Sequence, residues 1–317
     1  MKVLSAEQVH TSLQWSSVLD VLQDAYAGSY TMPQRQVLKL DAEGGSNDAF
    51  ALLPAWNDHV IAVKAFTYFP QNAAPIPSLH SQILLFERQH GQPLALIDGT
   101  SVTYWRTAGV SALASRFLSR EDARTLLLIG TGRLAPFLIH AHAEVRPLQR
   151  VMISGRNSAK VAALIERMKS ELPHIEFTSA STVEAACAEA DIVVCATGSP
   201  EILLEGAWIR PGTFTDFLGN HHADHRECDT AMVTRSKVYV DTYINCMKEA
   251  GEILIPIQEG VFTQGEIQGE LADLCAGRVA GRSTPEEITL FKSVGAALGD
   301  LAVARAVWLA QEGAEVA

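Results

Sequence analysis

The residues best suited to chemistry fall into two groups. One is the run Thr125-Leu126-Leu127-Leu128-Ile129-Gly130-Thr131-Gly132-Arg133-Leu134-Ala135, where an unbroken apolar stretch ends in Gly-x-Gly-x-x-Ala. Such a stretch reads as a parallel strand buried on both faces. Gly130 allows a tight turn, Gly132 lets backbone approach a pyrophosphate, and Ala135 lets the next helix pack on the strand. The N–H groups around Thr131, Arg133 and Leu134 then face phosphate at a helix N-terminus. A dinucleotide is the expected ligand. The other group is cationic. Lys64 ends the strand-like Val60-Ile61-Ala62-Val63, and Arg106 and Thr107 interrupt a helix of small apolar residues. Arg35 closes Met32-Pro33-Gln34-Arg35. Cations gathered in one cleft suit a small carboxylate, which arginine can grip through two parallel hydrogen bonds. Each alone is more simply a surface or ion-paired cation.

The end of the second strand of a dinucleotide domain selects the cofactor. An acid there binds the ribose hydroxyls of NAD. Here the strand ends Ser154-Gly155-Arg156-Asn157, without an acid. Arg156 suits a 2′-phosphate and can stack on adenine. NADPH is therefore expected over NADH, with NADH as the alternative.

These groups need elements to hold them. Ser5 caps a short first helix, and residues 15–30 read as an amphipathic helix with Trp15, Val18, Leu19, Leu22 and Tyr26 on one face. Residues 37–40, 50–53, 60–63, 83–86 and 94–97 read as strands, the first four antiparallel. Residues 101–118 read as a helix. From residue 125 onward strands at 125–129, 151–154, 175–177, 192–195, 213–216 and 237–240 alternate with helices, the pattern of a doubly wound parallel sheet. Residues 294–309 form a last helix, expected to return to the first domain.

Composition narrows the function classes. At 317 residues and 48% hydrophobic content, one large or two smaller domains with real cores are expected. A net charge of −11 argues against nucleic acid and anionic membrane as partners. No apolar run is long enough for a membrane span, and the N-terminal residues lack the apolar core of a signal peptide. The five cysteines are scattered and form no CxxC, which points to reduced, buried thiols in a cytoplasmic protein.

Read in order, these stretches resemble the ornithine cyclodeaminase/mu-crystallin family over essentially the whole chain. The resemblance rests on Met32 to Arg35, the Lys64 strand, Ile76-Pro77-Ser78, and Ala95-Leu96-Ile97-Asp98-Gly99 leading to Arg106-Thr107. It continues through Gly130 to Ala135, Ala196-Thr197-Gly198-Ser199, Gly219 to Asp229, and Phe291-Lys292-Ser293-Val294-Gly295. It implies an α/β fold in which a Rossmann-like doubly wound sheet domain, residues 119–299, is inserted into an α+β domain. Residues 1–118 and 300–317 make that second domain, which binds substrate and forms a homodimer through its sheet. It also implies chemistry on small amino or imino acids. Arg35, Lys64 and Arg106 match the substrate-binding cations, with Ser78 near them. Lys64 and Arg106 are the catalytic candidates. Thr107 matches a residue that helps hold the cofactor phosphates. Ala196, Thr197, Gly198, Ser293 and Gly295 join the expected cofactor residues.

One departure from the family pattern separates reaction types. The cyclodeaminase carries a catalytic aspartate just after the glycine of the segment that here reads Gly219-Asn220-His221-His222-Ala223-Asp224-His225. His221 takes that slot, and an imidazole cannot replace a carboxylate that binds a substrate ammonium. The segment looks more like the reductases of cyclic ketimine carboxylates, which form L-proline or L-pipecolate. Ornithine cyclodeamination, a same-family alanine dehydrogenase, and a non-catalytic ligand-binding protein are the alternatives. His221 is kept as a substrate-binding candidate. His221, His222 and His225 lack a fixed acidic or cysteine companion, so no metal site is expected.

Overall fold

Apolar residues at every second position drive the N-terminal third of the chain into a sheet. The structure is a computed structural model and describes residues 1–41, 46–73 and 75–313. The chain divides into two units: residues 1–109 with residue 296 onward, and residues 110–295.

Unit 1 holds the strands β1 (Lys2–Leu4), β2 (Gln36–Lys39), β3 (Ala49–Trp56), β4 (Val60–Tyr68), β5 (Leu79–Glu87) and β6 (Pro93–Asp98). They lie in the order β1-β6-β5-β4-β3-β2. Strands β2 to β6 are an antiparallel meander, and β1 joins β6 in parallel. The expected strand at 50–53 runs on through Pro54 to Trp56. Proline is tolerated there because β2 pairs only with Ala49–Leu52, so no ladder bond is lost at Pro54 on that side. One face of the sheet is covered by α1 (Ala6–Ser12) and the C-terminal helix Ala297–Glu312, and α2 (Trp15–Ala27) packs on that last helix. Ser5 caps α1 as expected, and α2 buries Val18, Leu19, Leu22 and Tyr26. The other face carries a cross-strand row of Pro54, Val63, Leu84 and Leu96, all half-buried.

Helix α3 (Gly99–Leu118) follows β6 and leads the chain into unit 2. Unit 2 is the Rossmann-like doubly wound sheet. Its strands are β7 (Thr125–Ile129), β8 (Arg150–Ser154), β9 (Glu176–Ser179), β10 (Ile192–Cys195), β11 (Phe214–Phe217), β12 (Lys237–Val240), β13 (Ile267–Glu270) and β14 (Thr289–Lys292). All are parallel, in the order β13-β12-β14-β11-β10-β7-β8-β9. The chain steps from β7 to β8 and β9 on one side and resumes at β10 on the other. The loops after β7 and β10 therefore diverge at a switch point, where open α/β sheets bind ligands. Helices α4 (Ala135–Val145) and α5 (Ser158–Glu171) follow β7 and β8.

The last helix begins at Ala297 rather than at 294. Val294 and Gly295 are diverted: both donate backbone N–H groups to Asp241 Oδ2, at 3.0 and 2.7 Å. Cys187, Cys195, Cys228 and Cys246 are buried and free. Burial pushes the Cys187 thiol up to about 12, which suits packing and not nucleophilic attack. Among the described residues no helix is long and apolar enough to cross a membrane.

Candidate active site

In unit 1 the sheet and two helices bring charged side chains to one point. Lys64 lies on β4 with its side chain on the helix-covered face, and is 4% exposed. Its Nζ donates to Asp300 Oδ1 at 3.0 Å and to Thr103 Oγ1 at 2.5 Å. Thr103 Oγ1 in turn donates to the Gly99 carbonyl at 2.6 Å, which leaves its lone pair to Lys64. Arg106, on α3, donates its Nε to the same Asp300 oxygen at 3.2 Å. These bonds leave a definite remainder. One N–H of the Lys64 ammonium and both terminal nitrogens of Arg106 have no hydrogen-bond partner among the described residues. An anchored guanidinium with its fork free is the arrangement that grips a carboxylate. Burial lowers the Lys64 ammonium to about 8. The Asp300 charge opposes that fall, and the Arg106 and Arg35 charges add to it. Arg35 therefore belongs to the same electrostatic neighbourhood.

Asp300 escaped the sequence reading. Its signal was there: it is a lone acid within Ala297-Leu298-Gly299-Asp300-Leu301-Ala302-Val303, an otherwise apolar run. An acid in such a place needs a buried partner. The other candidates of unit 1 sit apart from these bonds. Ser78 is exposed just before β5, and its carbonyl accepts from the Phe69 N–H. Thr107 is half-buried on α3 beside Arg106.

In unit 2 the glycine loop is built for close approach. Gly130 has φ +130°, and a Cβ there would lie 2.6 Å from the Ala196 carbonyl oxygen. Its N–H donates to the Ser154 carbonyl at 2.9 Å, tying the ends of β7 and β8 together. A Cβ on Gly132 would meet nothing within 4 Å, so the space above it is open. The N–H groups of Thr131, Gly132, Arg133 and Leu134 have no hydrogen-bond partner among the described residues. Four free donors before α4, above an open glycine, fit the pyrophosphate of a dinucleotide. At the end of β8, Arg156 is exposed and forms no ion pair among the described residues. Asn157 spends its side-chain oxygen on the Lys160 N–H at 3.0 Å, capping α5.

The loops after β10 and β11 are fixed by a carboxylate that sequence reasoning also missed. Glu227 Oε1 accepts from the Thr197 N–H and hydroxyl at 2.9 and 2.8 Å, and Oε2 accepts from the Gly219 N–H at 2.9 Å. The Glu227 N–H donates to Glu252, which pairs with Lys292 at 2.7 Å, and Lys292 donates to the Asn220 carbonyl at 2.8 Å. This network places Ala196, Thr197 and Gly198 beside Gly219, with Gly198 exposed. Ser293 and Gly295 follow β14; Ser293 donates its N–H to the Phe217 carbonyl at 3.2 Å, and Gly295 has φ +87°. His221 is exposed on the loop after β11. Ring centroids of His221 and His222 lie 6.5 Å apart, and those of His222 and His225 lie 5.1 Å apart. Among the described residues no cluster of three metal-ligating side chains occurs.

Comparison with known proteins identifies the family to which the chain belongs. The model of the ornithine cyclodeaminase/mu-crystallin family matches residues 1–314. The chain is 50% identical over 310 residues to the Δ1-pyrroline-2-carboxylate reductase of Colwellia psychrerythraea, covering 97% of this chain and 98% of that one. It is 32% identical to the enzyme of the same name from Paracoccus denitrificans, covering 92% and 91% of the two chains. The solved Thermococcus litoralis Δ1-pyrroline-2-carboxylate reductase, in complex with NADH and L-proline, superposes with a TM-score of 0.92 at 31% identity, covering 99% of each chain.

Proposed function

This chain belongs to the ornithine cyclodeaminase/mu-crystallin family, and from that premise we propose that it is a reductase of cyclic ketimine carboxylates. Its substrates are Δ1-pyrroline-2-carboxylate and Δ1-piperideine-2-carboxylate, and its products L-proline and L-pipecolate. The observation that carries this reading is the remainder at Asp300: a free guanidinium fork on Arg106 beside a single free ammonium proton on Lys64. The first suits a carboxylate; the second suits the neighbouring ring nitrogen.

When bound, a nicotinamide dinucleotide supplies the hydride. Arg106, with Arg35, holds the carboxylate so that the carbon–nitrogen double bond keeps one orientation. Lys64 gives its free proton to the ring nitrogen, because a protonated C=N carbon accepts hydride far better than a neutral one. The π bond breaks, one N–H and one C–H bond form, and Lys64 regains its proton from water. Thr131, Gly132, Arg133 and Leu134 hold the pyrophosphate, with Gly130 shaping the turn. Ser154, Arg156 and Asn157 stand at the adenosine end, and Arg156 gives NADPH the advantage. Thr107, Ala196, Thr197, Gly198, Ser293 and Gly295 complete the cofactor contacts, and Ser78 and His221 border the substrate. The apolar row Pro54, Val63, Leu84 and Leu96, with exposed Val37 and Leu38 on the edge strand, supports a homodimer formed through the sheet. The free cysteines fit a reducing compartment, the cytoplasm.

The test is an assay of NADPH and NADH oxidation with pyrroline-2-carboxylate, with piperideine-2-carboxylate, and with pyruvate plus ammonia, beside ammonia release from ornithine. Turnover on the two ketimines is expected. Ammonia release from ornithine at a comparable rate would replace this reading with a cyclodeaminase.

A further inference from the structure

Asp300 has no place in the reading above except as an anchor, yet its geometry asks for more. It is 1% exposed, on a helix whose neighbouring positions are apolar. Its Oδ1 takes bonds from two cations, and its Oδ2 has no hydrogen-bond partner among the described residues. A buried carboxylate oxygen left without a partner calls for an explanation beyond fold stability. Here one oxygen is committed to Lys64 and Arg106 together. We propose that Asp300 is a positioning residue for ketimine reduction: it fixes where the Lys64 proton and the Arg106 fork point.

This inference rests on the reductase reading and deepens it. The groups that face Lys64 are Asp300 from the C-terminal helix, Arg106 and Thr103 from α3, and Arg35 from the segment before β2. Thr103 is neutral, and both arginines repel a second cation. Asp300 is the one group in this set that favours the ammonium. Without it, burial and the two guanidinium charges act unopposed, and Lys64 gives up its proton to solvent before substrate can use it. With Asn in its place, Arg106 Nε keeps only a neutral acceptor, so the fork is held less firmly. Both effects reach the substrate through other side chains, which makes Asp300 a positioning and not a catalytic residue.

The experiment compares the full-length protein with Asp300→Asn and Asp300→Glu. Lysine Cε resonances are followed by carbon-13 NMR through a pH titration, alongside kcat and KM for pyrroline-2-carboxylate over the same range. In the parent, one buried lysine, assigned by its absence in Lys64→Met, should titrate near 8. In Asp300→Asn it should titrate at least one pH unit lower. The alkaline limb of kcat should move with it, kcat near pH 7.5 should fall roughly a hundredfold, and KM should rise. Cofactor affinity, read by fluorescence titration, should change less than twofold. Asp300→Glu keeps the charge but not both distances. Its limb should stay near that of the parent while kcat falls and KM rises; this variant decides the matter if Asp300→Asn does not fold. A Lys64 titration unmoved in Asp300→Asn, or parental kcat and KM in Asp300→Glu, overturns the proposal. A Lys64 titration moved in Asp300→Asn, beside a parent that reduces no ketimine, overturns the reductase reading instead, and with it the catalytic use of this contact.

Discussion

The charged cluster of unit 1 and the glycine loop of unit 2 are built from opposite materials. The first is made of side chains from four distant stretches: Arg35, Lys64, Arg106 and Asp300. Its bonds span 236 residues from Lys64 to Asp300 and 194 from Arg106 to Asp300. The second is made of backbone from six consecutive residues, and works because side chains are missing where a Cβ would strike Ala196 or fill open space. The cluster should therefore fail when a side chain is removed, and the loop when one is added. That contrast sets the order of expected effects.

The largest effect should come from Lys64→Met. Losing the proton donor should lower kcat by roughly 10²–10⁴, measured by NADPH oxidation at saturating pyrroline-2-carboxylate. Arg106→Ala removes a charge-assisted grip and should cost about 1.5–3 kcal/mol in kcat/KM. In both, NADPH affinity should stay within twofold. Parallel loss of cofactor affinity would mean that the two sites do not divide the work as described.

The two glycines of the loop sharpen the same comparison. Gly130→Val introduces strain at φ +130° and a clash with the Ala196 carbonyl, so it should destabilise the fold by on the order of 1–3 kcal/mol. Thermal melting should show this as a fall of several degrees. Gly132→Val has room and an ordinary backbone conformation, so melting should be nearly unchanged while NADPH affinity drops. Equal losses of stability in both variants would show that the loop is shaped by packing and not kept open for a ligand.

This division explains what the sequence could and could not tell. The glycine loop was legible because its residues are contiguous and their spacing carries the geometry. The meander of unit 1 was legible because alternating burial leaves a local pattern in β3, β4 and β5. Strands β1, β13 and β14 were missed. The first has three residues and pairs with β6 across most of unit 1, and the other two have four residues each. Such short strands owe their existence to partners and not to their own pattern. Asp300 was missed for the related reason that a lone acid in an apolar helix says only that a partner exists. Which partner it is depends on the tertiary fold. Glu227 lies within the family segment but carried no role there, because the contact that reveals it, with Thr197, comes from a different loop, after β10.

Arg156→Asp should have a smaller effect, confined to cofactor choice. Removing a cation from a 2′-phosphate and adding an anion should lower kcat/KM for NADPH by about tenfold to a hundredfold. The value for NADH should hold or improve. Equal use of both cofactors by the parent would show that the free Arg156 does not read the phosphate.

The smallest expected effect is a pH dependence that belongs to one site and not the other. Burial holds Lys64 near 8, against an ordinary value of 10.5. Its ammonium is the form with a proton to give. The fraction of active enzyme is therefore high below pH 8, half at about pH 8, and falls about tenfold for each further unit. The kcat for ketimine reduction should follow that curve, and at pH 8 the loss is only about twofold. Cofactor binding should not follow it. The glycine loop offers backbone N–H groups, which do not titrate in this range. NADPH affinity measured from pH 7 to pH 9.5 should thus stay flat while kcat descends. A kcat that rises through pH 8 would mean that Lys64 works as the neutral amine, accepting a proton and not giving one. A shared descent of affinity and kcat would place a titrating group at the cofactor instead, and the assignment of Lys64 to the proton would have to be given up.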